Sequence, residues 1–225
     1  CGSKTVKDFN ESTKKYDAIR RCLNENFKCE KIAKEGLKHF VSKEALNIDG
    51  FGKKIVEKFW ELKLIRYPQD IFNLDFEKIR ELDGWGNLSV LNLKYAIEKS
   101  KKISLDRFIY SLGIRHIGQE NAKLLAEHLK NVDSFYKLSK IDDIENLSNI
   151  DGIGETQIKS IRVFFSNKIN LNILKKLKEN MNISDAKPLK KGGVLKNKTF
   201  MFTGKLKEIS RAEAKSLVEQ NSGKI

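Results

Sequence analysis

The sequence predicts a mainly α-helical chain. Four copies of one unit, two short helices joined by a tight hairpin, lie between a small cysteine-bearing module and the opening of an α/β module. Three observations carry that prediction. The stretches IDGFGKKI (48–55), LDGWGNLS (82–89), GIRHIG (113–118) and IDGIGETQ (150–157) echo one another, and their final glycines, Gly52, Gly86, Gly118 and Gly154, stand 34, 32 and 36 residues apart, which marks an internal repeat. Apolar residues recur at helical spacing on both sides of the glycines: Phe108, Ile109 and Leu112 precede the third turn, and Ala122, Leu124, Leu125 and Leu129 follow it. After Met181 that pattern stops.

The first forty residues hold all three cysteines, Cys1, Cys22 and Cys29. No signal peptide is visible, and no apolar stretch approaches the roughly 20 residues of a membrane span. In such a chain, read as intracellular, clustered thiols point to metal over disulfides. Zinc closes its shell with four soft ligands in a tetrahedron, so one more is needed. It lies upstream of Cys1, or His39 supplies it; three unrelated reduced thiols are the alternative. Opening on Cys1 and not on methionine, the chain reads as a piece of something longer.

In each repeat the glycines permit a left-handed turn and a close approach by another backbone or a phosphate. The turn then opens a helix N-terminus, whose unpaired N–H groups and dipole attract an anion. The candidate backbone-binding residues are therefore Gly50, Gly52 and Lys53 in the first hairpin, Gly84 and Gly86 in the second, Gly113, Arg115, His116 and Gly118 in the third, and Gly152 and Gly154 in the fourth. A dinucleotide-binding fold would need a strand before the glycines and the G-x-G-x-x-G spacing; neither is present. The helix after the first hairpin is expected to run through Phe59, Trp60, Leu62 and Leu64 until Tyr67-Pro68 stops it. Trp85, between two glycines, reads as a core plug more than a base-stacking residue. Asp133 reads as a helix cap.

Residues 184–193 read as a linker of charges and helix breakers. Beyond it, residues 198–203 predict a short strand, Gly204 a turn, and Ser210 with Glu213 a capping box opening a helix to about Glu219. The last residues lead into a second strand.

Net charge is +14, with 40% hydrophobic and 33% charged residues, as in a soluble, helix-rich protein with an anionic partner. The excess is spread: +4 over residues 1–40, +5 over 41–190 and +5 over 191–225. No single lysine run marks a site.

The repeats resemble the helix-hairpin-helix family, in which hairpin amides grip DNA phosphates without reading sequence. The run from Cys22 through Cys29 to HFVSKEALNIDGFG (39–52) resembles the junction of zinc finger and helix-hairpin-helix domain in bacterial NAD-dependent DNA ligases, and GIRHIG with AKLLAEH (122–128) is similar to that family's third hairpin. The tail, from the expected strand through Thr203 and Gly204 to Gly223-Lys224-Ile225, resembles the start of a BRCT domain. Two departures stand out: a longer gap between Cys22 and Cys29, and Glu30 where a small residue often follows.

The resemblance implies a zinc-finger module at 1–40 lacking its first cysteine, a helix-hairpin-helix domain of four repeats at 41–183, a linker at 184–193 and the first part of a BRCT domain at 194–225. It implies Zn²⁺ on Cys1, Cys22 and Cys29, and NAD and Mg²⁺ bound upstream. The partner it implies is nicked duplex DNA, clamped by a monomeric, cytoplasmic, nucleoid-associated enzyme that joins 3′-hydroxyl to 5′-phosphate in replication and repair. Such ligases use a nucleophilic lysine in Lys-x-Asp-Gly. Two places before the aspartates of the three Asp-Gly pairs stand Asn47, Glu81 and Asn149, so this segment is expected to be catalytically silent. The alternative is a non-catalytic, structure-specific DNA-binding module of a repair nuclease or junction-binding protein.

Overall fold

The computed structural model describes residues 1–225 apart from 11–13, 25, 140–143, 187–192, 204, 205, 207, 210 and 225. Helices dominate, as the spacing of apolar residues predicts. The chain divides into two units, one formed by Cys1–Ser42 and Ile48–Lys99, the other by Lys43–Asn47 and Ser100–Ile225.

The first unit opens on an antiparallel ribbon, β1 (Thr5–Asn10) against β2 (Lys15–Cys22), with Thr5 opposite Cys22 and an irregularity between Lys7 and Phe9. Helix α1 (Glu30–Phe40) follows a 3₁₀ turn and buries Ala33, Leu37 and Phe40 on one face. Helix α2 (Lys53–Glu61) buries Val56, Phe59 and Trp60. It ends sooner than the apolar run through Leu64 suggests: Lys63 takes a left-handed backbone (φ 58°), and the Leu64 amide turns back to the Phe59 carbonyl at 2.9 Å. That is a helix stop made by one non-glycine residue, which composition does not signal. Tyr67-Pro68 instead opens a 3₁₀ turn (Pro68–Asn73), with Asp70 accepting from the Arg66 and Tyr67 amides at 2.8 Å each. Helices α3 (Phe76–Arg80) and α4 (Asn87–Ser100) complete the unit. Asp75 caps α3 by accepting from the Glu77 and Lys78 amides.

The second unit is tied by a parallel pair of three-residue strands, β3 (Lys102–Ser104) and β4 (Asn182–Ser184). Between them run α5 (Leu105–Ser111), α6 (Gln119–Leu129), α7 (Val132–Lys137), α8 (Glu155–Ser166) and α9 (Lys168–Asn180). Phe108, Phe135 and Phe165 stack edge to face at its centre, with centroids 6.2 and 5.3 Å apart, a geometry that aromatic quadrupoles favour. Asp133 is not the cap of α7. Asn131 is, its Oδ1 accepting from the Ser134 amide at 2.9 Å, while Asp133 in the first turn pairs with Lys178 at 2.6 Å.

At the chain's end the expected strand over 198–203 is reduced to one parallel bridge, Thr199 with Lys224. Helix α10 (Arg211–Gln220) follows, held by an ion pair between Glu219 and Lys123 at 2.7 Å. Gly204 and Ser210, and most of the linker, lie outside the described residues.

Candidate nucleic-acid interface

Four short segments close in the same way. The amides of Phe51, Trp85, Ile117 and Ile153 each donate to the carbonyl three residues back, on Ile48, Leu82, Ile114 and Ile150, at 3.0–3.1 Å. Each is a turn whose third residue must have positive φ. Gly50 (80°), Gly84 (80°) and Gly152 (89°) supply it in three hairpins. In the third, His116 does, at φ 61°. Gly113, although also left-handed, sits three residues before the turn's corner and ends α5, in the place that Asn47 (φ 53°) takes before the first hairpin.

The burial of these turns alternates. Ile48, Phe51, Ile114, Ile117 and Ile153 are buried, Trp85 is half-buried with its ring centroid 5.6 Å from that of Phe59, and the residues between face solvent. Asp49, Gly50, Gly52 and Lys53 are exposed, as are Gly84 and Gly86, Arg115, His116 and Gly118, and Gly152 and Gly154. The apolar residues anchor each loop, leaving its glycine edge outward.

The final glycines do not use their conformational freedom. Gly52, Gly118 and Gly154 have φ of −75°, −80° and −96° with extended ψ, a conformation open to any residue. They are the N-caps of α2, α6 and α8; Gly86 starts α4, its carbonyl accepting from Val90. Serine, threonine, aspartate or asparagine would cap a helix at least as well. Moreover, nothing lies within 4 Å of where a Cβ on Gly52, Gly86 or Gly118 would stand. Folding alone therefore gives no reason for glycine there, and the vacant side-chain position leaves the first amides of each helix open to an anion.

Cys1, Cys22 and Cys29 converge as their sequence positions suggest. Their sulfur atoms all lie within 4.8 Å of one another, with 3.4 Å between those of Cys1 and Cys22. Three thiolates on a tetrahedral zinc with Zn–S bonds of about 2.3 Å would stand about 3.8 Å apart, so the cluster fits the ion. The Ile32 amide draws the Cys29 thiol below its ordinary pKa, without closing a formal cap hydrogen bond; burial pushes the other way, and the Lys31 amide and Cys22 side chain assist. His39, in the last turn of α1 while Cys29 caps its start, is about 15 Å along the helix and does not join the group.

Comparison with known proteins bears on the hairpins. A family model described as "Helix-hairpin-helix motif" matches residues 107–174, which contain the third and fourth hairpins. A DNA ligase of Pelagibacter ubique is 67% identical over all 225 residues, and those of Rickettsia massiliae and Rickettsia bellii are each 42% identical over 221 residues, 93% of this chain. The chain is homologous throughout to the C-terminal part of DNA ligases. It spans about a third of the length of these ligase relatives. Among the described residues no helix is long and apolar enough to cross a membrane.

Proposed function

We propose that this chain is the DNA-clamping part of an NAD-dependent DNA ligase. The open N-cap glycine, repeated at Gly52, Gly86 and Gly118, carries the reading. An amide at a helix N-terminus with no side chain above it can donate to a phosphate oxygen, a charge-assisted bond that ignores base sequence. Lys53 and Arg115 add charge beside the first and third hairpins. Gly50, Gly84, Gly113, His116 and Gly152 shape the turns that present these amides, and Gly154 opens the fourth helix.

In this reading residues 1–40 are a zinc module, residues 41–183 the helix-hairpin-helix domain of four repeats, residues 184–193 a linker and residues 194–225 the opening of a BRCT domain. Cys1, Cys22 and Cys29 hold Zn²⁺ together with a cysteine upstream; the ion cross-links the ribbon to the start of α1 and takes no part in the chemistry. NAD and Mg²⁺ serve the upstream part of the enzyme, a cytoplasmic monomer working at the nucleoid. This part closes around nicked duplex while the upstream part joins 3′-hydroxyl to 5′-phosphate.

Binding to a fluorescent nicked duplex tests the clamp. Gly118→Val leaves charge unchanged, its backbone is already extended, and nothing lies within 4 Å of its Cβ. It should nevertheless weaken binding alike on duplexes of different sequence, with circular dichroism unchanged. Parental affinity in that folded variant would refute the backbone grip.

A further inference from the structure

We propose that the fourth hairpin is closed to phosphate by its own chain, leaving the grip to the others, the first and third foremost. This rests on the reading of the hairpins as a phosphate-binding surface. In α2 and α6 the third helical residue, Ile55 or Asn121, closes no capping box onto the N-cap glycine. At Gly154 the capping position is taken: Oε1 of Gln157 accepts from the Gly154 amide at 3.2 Å, and the same oxygen lies 3.3 Å from where a Cβ on Gly154 would be. A carboxamide oxygen there satisfies the N-cap amide and stands in the side-chain position above the helix's first amides, where a phosphate oxygen would have to sit.

The neighbouring charges agree. Exposed Asp151 in the turn and exposed Glu155 at the first position of α8 bracket Gly154, and both repel a phosphate. In the first hairpin Gly52 is followed by exposed Lys53 and Lys54, which outweigh Asp49; in the third, Arg115 in the turn offsets Glu120. The glycines differ too. A Cβ on Gly152 would stand 2.9 Å from Cδ1 of Leu124, so packing against α6 accounts for that glycine, whereas Gly50 and Gly84 have nothing within 4 Å. Both glycines of the fourth hairpin thus meet neighbours inside the fold, whereas Gly52 of the first has neither a neighbour nor a backbone conformation that calls for glycine.

Serine substitutions in the full-length protein separate these roles, because serine caps a helix at least as well as glycine while filling the space above the amides. Gly154→Ser also completes a capping box with Gln157. Titrations of nicked duplex are expected to show Gly52→Ser and Gly118→Ser binding about tenfold more weakly, the loss of one charge-assisted hydrogen bond, and Gly154→Ser within about twofold of the parent. As a second variant, Gln157→Ala uncovers the Gly154 amide and should bind as tightly as the parent or more so. Weakening by Gly154→Ser equal to that by Gly118→Ser, or weakening by Gln157→Ala, with thermal unfolding unchanged, would overturn the closure of the fourth hairpin. Parental binding by all three serine variants would instead defeat the hairpin reading itself.

Discussion

The Nδ1 atom of His116 lies 3.0 Å from the hydroxyl oxygen of Ser160, which ties the third turn to α8, the helix of the fourth. Ser160 donates its one proton to the Thr156 carbonyl at 2.9 Å, so it can only accept from the histidine, and Nδ1 is the protonated nitrogen. A residue that looks from sequence like a decoration on a glycine-rich loop therefore does two structural jobs. It supplies the left-handed corner that glycine supplies elsewhere, and it links two repeats.

His116→Gly keeps the corner and loses the link, so it should change unfolding free energy by less than about 1 kcal/mol, the relief of the strained backbone offsetting the lost bond. His116→Val keeps neither. A β-branched residue at φ 61° should cost roughly 1–3 kcal/mol. Urea denaturation of the two variants checks the order; equal stability would show that the corner tolerates any residue.

Acid should loosen α3 through its cap. The Lys78 amide, against the weaker opposition of burial, holds the Asp75 carboxyl below its ordinary pKa, and the Lys78 charge and Glu77 amide assist. A carboxyl depressed in the folded state stabilises above its unfolded pKa, and that contribution disappears as pH falls through the folded value. Asp75→Asn keeps an acceptor without the titration, so the stability gap between parent and variant should narrow as pH drops from neutral through the carboxylate range. A gap that stays constant in denaturation midpoints across that range would exclude the cap as its source.

Much of this was legible from residue order. The repeat period placed all four turns, because a glycine recurs at the N-cap after each and at the left-handed corner of three, and the three cysteines announced their cluster. Other features were hidden for identifiable reasons. His116 concealed the true corner of the third turn, with Gly113 nearby offering a false match. Lys63 ended α2 against an apolar run that continues to Leu64. The β1–β2 ribbon carries exposed, charged residues along KYDAIRRC and so shows no clean alternation. Strands β3 and β4 pair only three residues across nearly eighty positions, a non-local contact that no window of sequence contains.

Metal content follows from the cysteine geometry. The full-length protein should carry one equivalent of zinc at these residues, and Cys22→Ser should release it. Hydrogen exchange should then rise in β1, β2 and the start of α1 while α5 to α9 stay protected, since the ion's binding energy acts only on the elements it joins. Metal analysis finding no zinc in the intact protein would remove the ion from this module.

The segment alone should be chemically silent. Incubated with NAD and Mg²⁺, it should acquire no adenylyl group, because none of its Asp-Gly pairs follows a lysine at the required spacing. Intact-mass measurement is sufficient, and a stable adduct on this chain would end the proposed division of labour.

Charge and backbone should leave different marks on salt dependence. Lys53 is exposed directly after the open N-cap of α2, where it can neutralise one phosphate without shaping the turn. Each phosphate neutralised releases close to one counterion, so Lys53→Ala should weaken nicked-duplex binding modestly and lower the slope of log K against log salt by about 0.9. A glycine variant removes no charge. Gly118→Val should therefore shift the whole line downward with its slope unchanged. Titrations at several salt concentrations, with each variant's fold confirmed by circular dichroism, distinguish the two lines. If Lys53→Ala lowers affinity far more than Gly118→Val, and Gly118→Val binds like the parent, the positive surface holds the DNA and the open glycines need another explanation.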